Sequence, residues 1–559
     1  MYRLKNRYMK NKIIILGLLF SITFSSCTDW LDPKPLDSMV LEDFWKTNND
    51  VESVVLACYE AMTTEGFMQR VIISGEVRSD NVTKGINEPD DKQELKDILN
   101  VATQTTNRYA KWLDYYKVIN YCNSVIKHAP DVQALDPDYT NGKLRIHLAE
   151  AKTIRALVYF YLVRTYKDVP FITEPYVEDT QKFDIPQSEG DSILKILVED
   201  LIEAERGAIK TRGNYLMNSN FARQTKGRIT KNAVRAILAD IYLWLEEYNN
   251  CIDACDRVLA DEIPDEEWMI MDRSTLTGSE LYLVSNAHVT TNAASYSYSL
   301  IFSAFNNFGF TTGNSPESIF ELQFNSNNKG RVTTKDFYGS SNGSNRWLSV
   351  SALNDWGIFN STSTDLRQKD FYYTDPNNTT SPPRILKYVG ERNSDTSSPS
   401  YVDKEASTNW IFYRLPDIML MKAEALTELN GDENLSAAFQ LVNRLYKRSN
   451  PTVQEGLNFS SYNSQEEMRK LVLLERQREF LFEGKRWFDL LRAARREGST
   501  STILSQYLIR NYSFNADIVQ SKLADINAFY LPIHKDELIA NPSLKQNSYY
   551  VNALQEDDK

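Results

Sequence analysis

Histidine and cysteine are scarce in this chain, which contains four His and five Cys among its 559 residues. The histidines are far apart, and none has metal-ligand spacing to a second His or to a pair of Cys, so we expect no structural zinc site. The sequence also has no glycine-rich phosphate loop, no nucleophile elbow and no HExxH motif. We therefore predict no metal, no cofactor and no catalytic residues.

An excess of positive charge is missing as well, because 63 Lys and Arg stand against 75 Asp and Glu, a net charge of −12. A nucleic acid would meet net repulsion, so DNA and RNA are not expected partners. The 42% hydrophobic and 25% charged residues are typical of a globular protein and exclude disorder and a multispanning membrane protein. The 31 Tyr residues provide rings with a polar group, which suit sugar stacking and a large helical core equally well.

The N-terminus has the features of an export signal. Four basic residues within positions 5–12 precede a mainly apolar stretch at 13–24 that is too short to span a bilayer. Small residues then lead directly into Cys27, as in a relaxed lipobox. We predict that residues 1–26 are a lipoprotein signal peptide and that lipid on Cys27 is the only membrane attachment. The alternative is ordinary secretory cleavage nearby, with Cys27 an incidental thiol.

Most of the remaining sequence has helical periodicity. Apolar residues recur at helical spacing from 51 to about 123, in 148–166 and in 192–209. Segments 229–260 and 419–446 each contain small and apolar residues on two helices joined by a short turn, which is the tetratricopeptide pattern. We predict a mainly α fold in which such helix pairs stack into a shared core.

Cys251 and Cys255 lie one helical turn apart in the first of these pairs. Buried free cysteine behaves as a small hydrophobic residue, so we interpret both as packing residues. The alternative is a redox pair.

Two segments lack helical periodicity and are predicted to be loops. Residues 75–85 are rich in Gly, Ser, Asp and Asn, and residues 278–409 form a loop-rich insertion with a few short strands, one of them at 318–324. Long loops on a rigid scaffold are where binding residues concentrate. The insertion places Tyr338, Trp347 and Trp356 among polar residues, and each ring either stacks on a ligand or anchors its own loop.

The densest charged segment, residues 475–489, carries Glu475, Glu479 and Glu483 on one helical stripe. Two carboxylates at a suitable separation would fit a glycoside hydrolase. However, the interleaved Arg and Lys residues favour ionised carboxylates, whereas a general acid needs a raised pKa. We therefore predict structural ion pairs in this segment rather than catalysis.

Seven blocks of the sequence resemble the SusD/RagB family of outer-membrane nutrient-binding lipoproteins. They are residues 27–32, 150–170, 227–242, 413–425, 475–492, 530–533 and 541–547, in the expected order. The resemblance implies a largely α-helical fold with about four tetratricopeptide-like helix pairs, which agrees with the periodicity. It also implies an N-terminal helical region at 27–277 and a C-terminal region at 278–559 that includes the insertion and the last helix pair.

For function, the resemblance implies a non-enzymatic, lipid-anchored protein facing the cell exterior, which captures an oligosaccharide and passes it to a SusC-like TonB-dependent transporter of the outer membrane. Aromatic rings would stack on the sugar, and polar loop residues would bond its hydroxyl groups. We expect ligand contacts from two groups of residues: Arg78, Asp80 and Asn81 in the first loop, and Tyr338, Trp347 and Trp356 in the insertion. The alternatives are a peptide-binding member of the family and a tetratricopeptide adaptor that binds only protein.

Overall fold

The computed structural model describes most of the chain from residue 44 onward. The described residues are 44–85, 92–177, 181, 184–210, 225–262, 281–285, 287–291, 313–315, 317–324, 333–339, 346–359, 365–375, 382–393, 400–403, 408–450, 453, 456–512 and 515–551. The predicted signal peptide, Cys27 and the predicted domain boundary at 277/278 lie outside these residues and stay predictions.

Helices dominate the described residues, so the mainly α fold class is confirmed. In chain order they are α1 (Asn48–Met62), α2 (Glu65–Ile72), α3 (Gln93–Leu99), α4 (Leu113–Leu135), α5 (Asn141–Tyr166), α6 (Gly190–Gly207), α7 (Lys231–Trp244), α8 (Tyr248–Glu262), α9 (Thr333–Tyr338), α10 (Leu366–Phe371), α11 (Leu415–Leu429), α12 (Asp432–Ser449), α13 (Gln465–Glu479), α14 (Arg486–Glu497), α15 (Ser501–Ile503), α16 (Ala516–Leu523) and α17 (Lys535–Ala540). Within the described part of the chain, none of them combines the length and the apolar character that crossing a membrane requires.

The long helices pack against one another in a continuous order. α1 packs on α4, α4 on α5, α5 on α6 and α6 on α7, and the order continues through α8 to α11 and α12. The two helix pairs predicted from the sequence are both present, as α7 with α8 and as α11 with α12. Although the insertion separates these pairs in the sequence, α8 packs directly on α11. Such nearest-neighbour stacking is the arrangement of a tetratricopeptide solenoid.

Local sequence signals explain where the central helices begin and how α5 is placed. The side-chain oxygens of Thr140 and Thr230 accept hydrogen bonds from backbone N–H groups in the first turns of α5 and α7, which caps both helices. Pro170 follows the end of α5 and cannot continue its hydrogen-bond ladder. Residues 153–166 of α5 are buried on every side, so this helix occupies the centre of the fold.

Cys251 and Cys255 pack where α8 meets α11. Both are fully buried free thiols, and Cys251 Sγ lies 3.9 Å from the carbonyl oxygen of Met421. Burial raises the pKa of the Cys251 thiol well above its usual value. A buried, protonated thiol is unreactive, which favours the packing interpretation over a redox pair.

Short strands complete the fold. They are β1 (Val82–Lys84), β2 (Val169–Pro170), β3 (Gln187–Ser188), β4 (Leu281–Ser285), β5 (Ala287–Thr291), β6 (Ser318–Leu322), β7 (Leu348–Val350), β8 (Tyr372–Tyr373), β9 (Arg384–Ile385), β10 (Gly390–Asn393), β11 (Ser400–Asp403) and β12 (Trp410–Arg414). All pairings are antiparallel: β1 with β7, β2 with β3, β4 with β5, β6 with β12, β8 with β9 and β10 with β11. The short strands predicted in the insertion are thereby confirmed, including the one that begins at Ser318.

The segment at 75–85 differs from the predicted loop. Residues Ile73–Val77 continue α2 as a π-helical turn, β1 follows, and residues 73–82 are all buried. A Cβ atom at Gly75 would lie 1.7 Å from the carbonyl oxygen of Gly484, so glycine is required where these two backbones meet. The polar side chains that made this segment resemble an exposed loop instead form internal charge pairs and hydrogen bonds.

Candidate functional site

The structure brings the first loop and the insertion together, although they are far apart in the sequence. Strands β1 and β7 form an antiparallel ribbon in which Val82 lies opposite Val350. At one end of the ribbon, the backbone N–H of Ser351 donates to the carbonyl oxygen of Asn81 at 3.0 Å. The segments that carry the two groups of predicted ligand residues are therefore neighbours in space.

Arg78 faces the interior of the protein. Its two Nη atoms donate hydrogen bonds to the carbonyl oxygens of Ala528 and Phe529, and its guanidinium carbon lies 4.3 Å from the ring centroid of Trp487. Only 4% of Arg78 is exposed. The expectation of a ligand contact is therefore not supported for Arg78, because its donors and its stacking face are already used by the C-terminal segment.

Asp80 and Asn81 are fully buried and are bonded within the protein. Arg486 makes two hydrogen bonds to Asp80, from Nε to Oδ1 at 2.7 Å and from Nη2 to Oδ2 at 3.0 Å, and Asn81 Oδ1 accepts from Gln477 Nε2 at 3.0 Å. Burial would raise the pKa of Asp80, but Arg486 and Arg510 outweigh it and lower that pKa, so the carboxylate stays ionised. These residues lie beneath the surface, where direct contact with a ligand is not supported.

Tyr338 and Trp347 anchor their own segments, which is the alternative that the sequence left open. Tyr338 is 1% exposed and packs on Phe482, with ring centroids 6.1 Å apart. Trp347 packs edge-on against Phe337 at 4.8 Å, and Lys92 Nζ lies 4.3 Å from its ring centroid. Both residues are buried, so a ligand contact is not supported for them.

Trp356 has the most exposed side chain of the six predicted residues, since it is partly buried while the others are buried. The guanidinium carbon of Arg510 lies 4.6 Å from the ring centroid of Trp356 and 5.6 Å from that of Tyr507. Tyr507 and Arg510 are themselves partly exposed. Arg510 Nη2 also donates to Asp80 Oδ2 at 3.0 Å. We call Trp356, Tyr507 and Arg510 together the Trp356 patch.

Sequence reasoning missed Tyr507 and Arg510. They lie in an irregular helical segment at 504–511, outside both predicted loops. Asn511 Nδ2 donates to the carbonyl oxygen of Val82 at 3.0 Å, which holds this segment against the β1–β7 ribbon. An aromatic residue three positions before an arginine was the available signal, and it is weak because such spacing occurs on many solvent-facing helices.

The Trp356 patch has the chemistry of a sugar-binding surface on a fixed support. A partly exposed indole ring can stack on the weakly apolar face of a sugar, and guanidinium N–H groups can donate to its oxygens. The loop that carries Trp356 is held in place, because Asn354 Oδ1 accepts hydrogen bonds from Gln368 Nε2 at 3.0 Å and from the Tyr372 hydroxyl at 2.7 Å.

The carboxylates of the densest charged segment form buried ion pairs, as predicted, but the partners of Glu479 and Glu483 come from other elements and not from the interleaved basic residues. Glu479 Oε1 lies 2.5 Å from Arg414 Nη1 and 2.7 Å from Arg448 Nη2, and Glu483 Oε1 lies 2.7 Å from Arg414 Nη2. Burial would raise the pKa values of Glu479 and Glu483, but the facing cations outweigh it and lower both. Ionised carboxylates without solvent access cannot serve as a general acid, so a glycoside hydrolase site is not supported here.

His147 is held by local hydrogen bonds. The Nε2 atom of His147 lies 2.8 Å from Glu52 Oε2, and its Nδ1 atom lies 2.9 Å from the hydroxyl oxygen of Tyr139. Among the described residues, no group of three or more His, Cys, Asp and Glu is arranged to hold a metal ion.

Sequence comparison relates both halves of the chain to one family. A family model described as the SusD family matches residues 270–550, and a SusD-like model described as starch-binding associating with outer membrane matches residues 29–243. The SusD-like protein P38 of Formosa agariphila is 26% identical over 506 residues, which cover 86% of this chain and 91% of that protein.

Solved structures have the same fold. A SusD superfamily protein from Bacteroides vulgatus matches with a TM-score of 0.68 at 18% identity, covering 90% of this chain and 100% of that one. A laminarin-binding SusD-like protein matches with a TM-score of 0.60 at 19% identity, again covering 90% and 100%. The resemblance found in the sequence is confirmed, and this chain belongs to the SusD family.

Proposed function

We propose that this protein is a glycan-binding lipoprotein of the cell surface that captures an oligosaccharide and delivers it to a SusC-like TonB-dependent transporter in the outer membrane. The observation that carries the proposal is the Trp356 patch, in which a partly exposed indole ring lies beside a cation and a second partly exposed ring. Support also comes from the family: one matching model is described as starch-binding, and one solved neighbour is named as laminarin-binding.

The ligand stacks on Trp356, and Arg510 and Tyr507 provide the adjoining polar groups. The buried pair of Asp80 and Arg486 fixes Arg510 from below, since Asp80 bonds both guanidinium groups. Ligand binding therefore has a low cost in side-chain conformational entropy, because the side chains of the patch are already held by ion pairs and ring contacts. The protein binds the glycan without cleaving it, because the carboxylates considered for catalysis are buried and paired.

Attachment to the membrane rests on Cys27, which carries the lipid after removal of residues 1–26. The lipid anchors the protein at the outer surface of the outer membrane. There the folded protein passes the glycan to the transporter. One matching family model is described as associating with the outer membrane, in keeping with this location.

The proposal is tested by presenting the purified protein to an oligosaccharide array and to an array of random peptides. We expect binding to one structural class of oligosaccharide and no binding to peptides. Binding to peptides alone would favour the peptide-binding alternative. Binding to neither array, together with binding of the purified partner transporter, would favour an adaptor without a nutrient ligand.

A further inference from the structure

We infer that the ligand of the Trp356 patch is an acidic oligosaccharide, whose carboxylate or sulfate group is bound by Arg510 while a sugar ring stacks on Trp356. This inference rests on the proposed function and adds the chemical class of the glycan. Three features support it: the number of charges beneath the patch, the hydrogen-bonding groups of Arg510, and the aromatic rings that hold the Arg510 guanidinium group.

The first observation is an unequal number of opposite charges. Asp80 already has a complete partner in Arg486, which bonds both carboxylate oxygens and is 1% exposed. Arg510 is a second cation on the same carboxylate, with Nη2 3.0 Å from Oδ2. Two guanidinium groups therefore bond this one carboxylate. Arg486 also interacts electrostatically with Asp489, whereas the side chain of Arg510, 22% exposed, is the one that reaches solvent. An anionic ligand would balance the remaining positive charge.

A further cation lies close to the loop that carries Trp356. Arg478 Nε donates to the carbonyl oxygen of Ile358 at 2.7 Å. Its ion pair with Glu475 is long, with 3.6 Å between Nη1 and Oε2, and Glu475 is also bonded to Arg367 at 2.7 Å. Two arginines thus contact the segments that form the patch, and the charge of the exposed Asp355 in the same loop is screened by solvent.

The second observation is that Arg510 keeps hydrogen-bonding capacity. A guanidinium group has five N–H donors in a planar fork that matches the two oxygens of a carboxylate or sulfate. Nη2 is bonded to Asp80 and Nε is buried, so the donor available to a ligand is Nη1, which makes no hydrogen bond with the described residues. The arginine can therefore hold Asp80 and an anionic oxygen at the same time.

The third observation is that the rings fix the plane of this fork. Trp356 and Tyr507 lie 4.6 and 5.6 Å from the Arg510 guanidinium carbon, and Arg486 lies 5.1 Å from the same tyrosine ring. Cation–π contacts of this kind restrict the arginine without neutralising it. Because the chain as a whole has a net charge of −12, its long-range field opposes an anionic ligand, and selection of an anion depends on this local group.

The inference is tested by isothermal titration calorimetry with matched probes: neutral laminari- and malto-oligosaccharides, and acidic oligogalacturonides, alginate oligosaccharides and sulfated carrageenan oligosaccharides. Wild type should bind at least one acidic class ten or more times tighter than the neutral probes. Arg510→Gln should abolish that preference and leave weak, Trp356-dependent binding, and Arg510→Lys should keep part of the preference. The control is Arg257→Gln, which removes a partly exposed arginine that pairs with Glu205 on the helical scaffold.

Two results would overturn the inference, and they have different consequences. If wild type binds a neutral probe at least as tightly as every acidic probe, and Trp356→Ala abolishes that binding, the proposed function stands and the acidic ligand class is wrong. If wild type binds no oligosaccharide of either class, the proposed function fails and this inference fails with it. Melting curves of each variant identify any that lose binding only because they do not fold.

Discussion

Arg414 and Glu479 form an ion pair with 2.5 Å between Nη1 and Oε1, and both side chains are shielded from solvent. Arg414 stands at the start of α11, and Glu479 ends α13. Glu479 also lies 3.0 Å from Arg367 in α10 and 2.7 Å from Arg448 in α12. One carboxylate therefore joins the last tetratricopeptide-like pair to α13 and to the insertion.

Replacing Glu479 by alanine should destabilise the protein, because it leaves three arginines in the interior without their shared counter-charge. Breaking one side of a buried network of this kind costs about 3 to 5 kcal/mol of unfolding free energy. Urea denaturation followed by circular dichroism measures the loss, and Glu433→Ala, at an exposed position of α12, serves as the control. An unchanged unfolding free energy together with lost glycan binding would mean that Glu479 belongs to the ligand site.

Glu424 should contribute to acid sensitivity. Burial would raise its pKa, but Arg492 and Arg496 outweigh it and lower the pKa from the ordinary 4.5 to about 2. Since the folded state binds this proton less readily than the unfolded state, the stabilisation is complete above pH 4.5 and is lost as the pH falls towards 2. The full contribution is about 3 kcal/mol.

The measurement compares the unfolding free energies of wild type and Glu424→Gln between pH 6 and pH 3. The difference between the two unfolding free energies should decrease as the pH falls. The unfolding free energy of Glu433→Gln should equal that of wild type at every pH. A difference that stays constant over this range would show that Glu424 does not titrate as described.

Gly75→Ala should strongly destabilise the fold, because the added Cβ would lie 1.7 Å from the carbonyl oxygen of Gly484. Relieving that overlap requires the π-helical turn to separate from the backbone before α14, at a cost of about 3 kcal/mol or more. Gly142→Ala is a matched control within α5, where the nearest atom to the new Cβ is 3.7 Å away. Thermal melting should separate the two variants, and equal midpoints would contradict the close approach.

Helix periodicity and pairing were predictable from the sequence because they depend on residues close together in the chain. The pairs α7 with α8 and α11 with α12 each bury apolar residues at helical spacing, and Ala254 and Ala438 are fully buried examples. That Glu479 and Glu483 are ion-paired was predictable from the high density of charge in this segment, but their partners were not. Arg367, Arg414 and Arg448 come from other elements, and Glu483 lies beyond the end of α13.

The environment of Asp80 and Asn81 was not predictable, because the residues that bury them come from α13 and α14, about 400 positions later. Gly, Ser, Asp and Asn at 75–85 favour an exposed loop when only neighbours in the sequence are considered. Arg510 was missed for the same reason, since its role depends on Trp356 and Asp80, which other parts of the chain supply.

Cys27→Ala should release the protein from the membrane, because the lipid on Cys27 is the proposed attachment. Cells expressing each form are labelled with a radioactive fatty acid and then fractionated. Wild type should carry the label and sediment with outer membranes, and the variant should be unlabelled and soluble. Equal labelling of both forms would contradict lipidation at this residue, with Cys58→Ala as a control for a buried thiol.

Trp347→Ala and Trp356→Ala should have different effects. Trp347 is buried between Phe337 and Lys92, so its loss should lower the melting temperature. Trp356 is partly exposed, so its loss should lower affinity while the protein remains folded. Calorimetric titration and a melting curve, measured on the same preparation of each variant, separate the two effects.

The most direct test of the proposed ligand surface is the affinity of Trp356→Ala for the oligosaccharide that wild type binds most tightly on the array. A stacked ring contributes about 1 to 3 kcal/mol by analogy with aromatic platforms for bases, so the Kd should rise about tenfold or more. Trp45→Ala, which removes another partly buried tryptophan that stacks on His128, should bind as wild type does. If Trp356→Ala is folded and its Kd equals that of wild type, the ligand surface is not the Trp356 patch.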